Sequence, residues 1–168
     1  MAELLSHVLI AYVVLTCAGW RLEWLTQRWV AVGMIGAILP DLSRIGLFVT
    51  DATIETALGV PFSFGALQTL GGLLLLAAIG SLVVADHRRR AFGLLFVGGF
   101  LHLLTDGLKS WADGYAGAWL YPFSWYRHPT PGLYVSSDLW VLVGVGTVAL
   151  VVTLIDLGIL RPMSETDK

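Results

Sequence analysis

The chain has 168 residues, 57% hydrophobic and 13% charged, with a formal net charge of -2 and a mean hydropathy of +0.78. A soluble domain carries about 25% charged residues, so an ordinary soluble globule is excluded, and the near-balanced charge gives no basic surface for nucleic acid. The length suits one membrane-embedded helical domain over 1–168, with 161–168 as a short polar tail.

Five apolar segments predict helices, at roughly 4–20, 29–49, 67–85, 91–111 and 139–160. Each reaches or approaches the ~20 residues a bilayer crossing needs, and in lipid a helix satisfies its own backbone hydrogen bonds. The first segment, "MAELLSHVLIAYVV", has no basic start and no small-residue cleavage site, so it reads as a retained helix and not a signal peptide. The second is interrupted by "LPDLSR". The connections are "RLEWLTQR", "DATIETALGVPFSF", "DHRRR" and a long stretch from "DGYAGAWLYPF" to "YVSSD". The expected fold is therefore an all-α polytopic bundle of about five transmembrane helices.

Basic residues orient this weave. Arg21, Arg28, Arg88, Arg89, Arg90, Arg161 and Lys168 fall on one side; Arg44, Lys109 and Arg127 fall on the other. The positive-inside rule puts the first group in the cytoplasm, the N-terminus outside and the C-terminus inside. Trp20, Trp24 and Trp29 then mark the inner boundary, and Trp111, Trp119, Trp125 and Trp140 the outer one. Cys17 is alone, so no intrachain disulfide forms.

The polar residues inside these segments each require a partner or a task. His7 lies near the outer start of the first segment and Asp41 near the outer end of the second. Gln68 begins the third, His102 and Asp106 sit in the outer half of the fourth, and Asp138 begins the fifth. The topology gathers them at one end. In "GGFLHLLTDGLK", residues 98–109, His102 and Asp106 are four apart and share a helical face. Imidazole and carboxylate suit zinc and other divalent metals, and His7 with Asp41 would complete a four-ligand set built from facing helices. The bland alternatives stay open. The His–Asp pair also serves as a hydrogen-bonded lock between helices, His7 suits an interfacial position, and Asp41 suits a helix end near water. Arg44 suits either a phosphate clamp or a snorkelling cation. Arg127 and His128 suit either an anionic substrate or the interface, and His87 reads as part of a cytoplasmic anchor. Asp156 lies far from the cluster, and Asp51 and Asp113 read as solvated.

Taken in order, "SH" at Ser6-His7, "GAILPDLSR", "GGFLHLLTD" and "LYPF" resemble the YdjM-like family of membrane-bound metal-dependent hydrolases, also described as LexA-binding and inner-membrane-associated. The resemblance covers roughly residues 6–140, and "PTPGLYVSSD" looks like the archaeal members. It implies a divalent-metal hydrolase, expected to use zinc, distantly similar to zinc-dependent phospholipase C bundles. Carried over by position, the metal ligands fall on His7, Asp41, His102 and Asp106. The chain departs from the pattern at Ser43, where the family often has a second acid. It departs again at "FSFGALQTLGG", where the family often has "HRxxTHS" and this sequence offers Gln68 and Thr69.

Two functions follow. In the first, a metal-dependent hydrolase acts on a phosphoester or lipid headgroup at the outer face. Asp138 is then a general base, Arg44 stabilises transition-state charge, and Gln68 and Arg127 bind substrate. In the second, a non-catalytic membrane protein uses the cluster as a structural lock or partner-binding vestibule. A transporter is less favoured, because the polar groups stop at one end. Glycines in "GMIG", at 71–72, at 98–99 and in "GVG" at 144–146 permit close helix approach, and they leave a homo-oligomer open.

Overall fold

A computed structural model of the protein describes residues 2–158. The expected polar tail at 161–168, with Arg161 and Lys168, and the end of the last segment at 159–160 lie outside them. Among the described residues there are six α-helices. They are α1 (Ala2–Gly19), α2 (Gln27–Gly36), α3 (Asp51–Leu58), α4 (Leu70–Leu82), α5 (Arg88–Asp106) and α6 (Leu139–Asp156). Two 3₁₀ segments, Leu39–Leu47 and Phe64–Gln68, pack on each other.

The second apolar segment changes helix type where the sequence breaks it. Pro40 sits in the first turn of the 3₁₀ segment, where its missing N–H costs nothing. The tighter winding carries Asp41 into the interior, where it is buried. The connection "DATIETAL", read as a loop, is helical as α3. Thr50 caps it by accepting from Thr53 N, and Gly59 ends it at φ 68°. The fourth segment stops at Asp106, five residues short of its expected end.

Helices α2 and α5 cross at a glycine contact. A Cβ on Gly98 would lie 1.9 Å from Gly33 O, and one on Gly36 would lie 2.3 Å from Leu95 O. Only hydrogen fits at such separations, so "GMIG" and the 98–99 pair do set a close approach. Gly144 and Gly146 behave differently, since a Cβ on either meets nothing within 4 Å. Beside the crossing, Leu15, Leu25, Val30 and Leu94 form the apolar core. Helix α6 packs against α1, and Tyr12 Oη lies 2.8 Å from Thr153 Oγ1 across that seam.

Two helices among the described residues are long and apolar enough to cross a membrane, Gln27–Leu47 and Leu139–Asp156. Helices α1 and α4 are apolar but shorter. Only 11% of α6 is buried, and Val143 and Leu150 are 65% and 59% exposed. The core helix of a soluble protein is not left bare in this way, whereas a lipid-facing helix is.

The long stretch 107–138 closes one end of the bundle. Leu70 N donates to Trp119 O at 2.7 Å and Gly71 N to Tyr121 O at 2.8 Å, which satisfies the free amides that open α4. Trp111 Nε1 donates to Asp106 O at 3.0 Å and Tyr134 Oη to Thr105 O at 2.9 Å, which satisfies the carbonyls that end α5. The loop thereby fixes the helix ends that carry the polar residues.

Candidate metal centre

Three side chains meet where α1 and the end of α5 adjoin. His7, His102 and Asp106 each offer a ligand atom within 4.8 Å of the others, and all three are buried. His7 Nε2 lies 3.4 Å from Asp106 Oδ1, and His102 Nε2 lies 3.4 Å from Asp106 Oδ2. The two rings stack with centroids 3.9 Å apart.

The far nitrogen of each ring explains what the near one can do. His102 Nδ1 lies 2.8 Å from Ala37 O. A carbonyl only accepts, so Nδ1 carries the proton and donates it. His7 Nδ1 lies 2.6 Å from Thr105 Oγ1. That hydroxyl already donates back to its own helix, 2.8 Å from His102 O and 3.0 Å from Leu101 O. With its proton on one of those carbonyls, Thr105 Oγ1 accepts from His7 Nδ1–H. In the neutral rings both Nε2 atoms are then lone-pair donors facing one carboxylate, and neither has a hydrogen-bond partner. Two imidazole lone pairs and a carboxylate repel one another unless a proton or a metal cation lies among them. Four ligands at about 2.0–2.1 Å from a zinc ion stand about 3.3–3.4 Å apart in a tetrahedron. Each imidazole lies 3.4 Å from a different oxygen of Asp106, and the three ligand atoms lie within 4.8 Å of one another, so a bound ion would draw them closer. The donor set therefore fits a divalent ion. Backbone carbonyl and threonine anchors on the opposite nitrogens are the supports that metal-bound histidines have.

Charged neighbours surround the trio. Lys109 Nζ lies 2.6 Å from Glu3 Oε1 and 3.4 Å from Asp106 Oδ1. Arg44 Nε donates to Asp41 Oδ1 at 2.6 Å and its Nη2 to Glu3 Oε2 at 3.0 Å. Ser136 Oγ also donates to Glu3, at 3.1 Å. Glu3, Asp41 and Asp106 thus face two cations, Arg44 and Lys109, which leaves one negative charge uncompensated before any histidine is protonated. Tyr134 stays a neutral phenol, because burial first, and then the charges of Asp106 and Glu3, push it above its ordinary range.

The remaining expected site residues are distributed around this centre. Asp41 is buried and interacts electrostatically with His102. Its Oδ1 is paired with Arg44, its Oδ2 has no partner, and it stands outside the three-residue group. Asp138 lines a cavity of about 220 Å³ with Glu3, His7 and Ser136, and its Oδ2 accepts from Val135 N at 2.9 Å. Gln68 and Arg127 line a second cavity, of about 210 Å³, with Asp106 and Trp119. Arg127 is tied to Asp113 at 2.7 Å and to the carbonyls of Ala116 and Tyr115. Gln68 Nε2 donates to Ser43 Oγ at 2.9 Å, so the two departures from the resembled pattern bond to each other.

Sequence reasoning passed over Glu3, Thr105 and Lys109. For two of them a signal was present. Glu3 is four residues before His7 on α1 and so shares its helical face. Lys109 follows Asp106 by three, where the turn that ends α5 brings it back, with Lys109 N donating to Asp106 O at 3.3 Å.

The YdjM inner membrane protein family model matches residues 1–161. The chain belongs to that family. As a YdjM family member it is a membrane protein, which agrees with the bare apolar face of α6. No curated protein and no solved structure matches the chain. For this YdjM family member, the chemistry of the centre therefore rests on its own residues.

Proposed function

We propose that this YdjM family member is a multi-pass membrane hydrolase, dependent on a divalent metal, that acts on a phosphoester or lipid headgroup at the outer face. One observation carries the reading: two buried imidazole Nε2 atoms without hydrogen-bond partners, both facing the Asp106 carboxylate at 3.4 Å. His7, His102 and Asp106 would hold the ion. Asp41, which stands outside that group, would become the fourth ligand only by bringing its unpartnered Oδ2 in towards the other three. Zinc is the metal this donor set favours. When bound, such an ion activates water near neutral pH and polarises a phosphoryl oxygen.

The chain's own residues do the rest. Ala37 O and Thr105 Oγ1 hold the two rings in the tautomer that presents Nε2. Asp138, in the cavity it shares with His7, takes a proton from water there. Arg127 and Gln68, in the cavity that borders Asp106, hold the anionic part of the substrate. Arg44, fixed by Asp41 and Glu3, offsets negative charge that develops beside it.

Five crossings are proposed: α1, α2 with its 3₁₀ continuation, α4, α5 and α6. The orientation rests on Arg21, Arg28 and Arg88–Arg90, which stand at the end away from the centre and belong on the cytoplasmic side by the positive-inside rule. The second reading, a non-catalytic lock, has the Lys109 contacts in its favour, since they already bring a cation to Asp106. Elemental analysis separates the two. Protein purified without chelators is expected to carry stoichiometric metal and to hydrolyse a chromogenic phosphodiester, and His102→Ala is expected to lose both. A metal-free wild type, with His102→Ala merely less stable, sinks the hydrolase and leaves the lock.

A further inference from the structure

The cavity beside His7 is not confined to the polar centre. It is lined by Ile10, Trp140 and Val141 as well as by Glu3, His7 and Ser136. The same Ile10, Trp140 and Val141 line a third, almost wholly apolar cavity of about 300 Å³ between α1 and α6, with Val14, Gly144 and Val148. The two are therefore neighbours along one largely apolar seam, with Glu3, His7 and Ser136 at its end beside the centre. Helix periodicity makes the seam continuous. His7, Ile10 and Val14 are spaced i, i+3, i+7 on α1, and Val141, Gly144 and Val148 are spaced the same way on α6. Each run of seven residues spans about 10 Å along its helix. The seam is open at Gly144, where a Cβ would meet nothing within 4 Å. The rest of α6 is bare towards the surroundings, so the groove opens sideways into the hydrocarbon of the membrane.

We infer that this groove holds one acyl chain of a bilayer phospholipid whose polar end reaches His7. The occupant follows from the continuity of the seam. A water-soluble phosphoester has no use for the apolar stretch, and a second protein copy would not need the polar end. The lipid reaches the centre laterally, between α1 and α6, without leaving the bilayer. That the lipid is a substrate rests on the hydrolase reading above; that it binds does not.

The test uses full-length protein in vesicles of phosphatidylglycerol and phosphatidylethanolamine doped with a phospholipid carrying a diazirine on its acyl chain. Mass spectrometry after photolysis is expected to find Val14, Val145 and Val148 labelled several-fold more than Leu75 and Ile79, which are exposed on α4 and report bulk lipid. Gly144→Leu, which projects into open space and leaves packing intact, is expected to remove that excess. Equal labelling of the two faces overturns the inference. So does a Val145→Cys variant, in a Cys17→Ser background, that forms disulfide-linked dimers in place of lipid adducts, since the groove then belongs to a second copy. His102→Ala keeps the two readings apart. If it loses metal and keeps the labelling, both stand. If wild type binds no metal yet shows the labelling, the hydrolase fails and the lipid groove stands.

Discussion

Each end of the bundle buries or pins a carboxylate between helices, and the two are treated in opposite ways. At the end away from the centre, Asp156 accepts from Trp20 Nε1 at 3.0 Å and from Gln27 Nε2 at 2.7 Å. Both are neutral donors at ordinary hydrogen-bond distance, and the arrangement ties α6 to the α1–α2 connection. At the other end Asp106 faces two histidine nitrogens and a lysine, all at 3.4 Å, beyond the 2.7–2.9 Å typical of charge-assisted bonds. A helix lock satisfies its acceptor. The Asp106 cluster leaves its two histidine Nε2 atoms without hydrogen-bond partners, with three ligand atoms within 4.8 Å of one another, so it could hold a metal ion where Asp156 holds only helices together.

The comparison breaks most visibly under Asp106→Ala. This variant is expected to lower metal affinity by more than ~100-fold, above the 10–100-fold range for supporting residues, whereas Asp156→Asn leaves metal content unchanged. Competitive chelator titration measures both. If Asp106→Ala retains stoichiometric metal, the two ends do not differ in kind.

Thr105→Val tests the support beneath the ligands. It removes the acceptor that orients His7 while leaving every proposed ligand in place, and about 10–100-fold weaker metal binding is expected. An unchanged affinity would show that His7 does not need its anchored tautomer.

The glycine crossing sharpens the contrast on stability alone. Gly98→Ala forces a Cβ against Gly33 O and is expected to destabilise by about 1–3 kcal/mol through overpacking. It also shifts α5 against α2 beneath His102. Gly144→Ala meets open space and is expected to stay within about 0.5 kcal/mol of wild type. Thermal unfolding in detergent reads both.

Asp156→Asn is expected to cost about 0.5–1.5 kcal/mol, the worth of ordinary hydrogen bonds, without touching activity. The smallest effect belongs to Asp113 in the loop. The hydrogen bond from Arg127 comes first among the causes that hold its carboxyl below the usual range. A lowered folded value contributes stability above the unfolded carboxylate pKa of about 3.9, and that contribution is lost as pH falls through the folded value. Asp113→Asn should therefore lower the melting temperature slightly at neutral pH, with the gap from wild type closing in acid. The exposure of both side chains keeps the effect small.

Much of the centre was legible because helix periodicity is local. The i, i+4 spacing of His102 and Asp106 put them on one face, and the alternation of segments carried His7 to the same end. The helix break at "LPDLSR" was legible for the same reason, since proline and polar residues act on their own turn. Asp41 shows where that reasoning stops. Its depth could be read from the sequence; its pairing with Arg44 three residues on could not, because the 3₁₀ winding decides which neighbours face each other. Gly144 shows it again. Its motif looked like those at 33–36 and 98–99, yet only the latter touch a backbone.

Composition and hydrophobic patterning by themselves determined a helical membrane chain with His7, Asp41, His102 and Asp106 at one end, because burying apolar surface and satisfying backbone hydrogen bonds are demands each segment meets alone. The tertiary structure decided which lone pairs face the Asp106 carboxylate and which seam leads from His7 into the apolar exterior. Those depend on ring tautomers fixed by Ala37 O and Thr105 Oγ1, and on the docking of α6 against α1. Such contacts join residues 65 and 98 positions apart, and no local rule of spacing reaches that far.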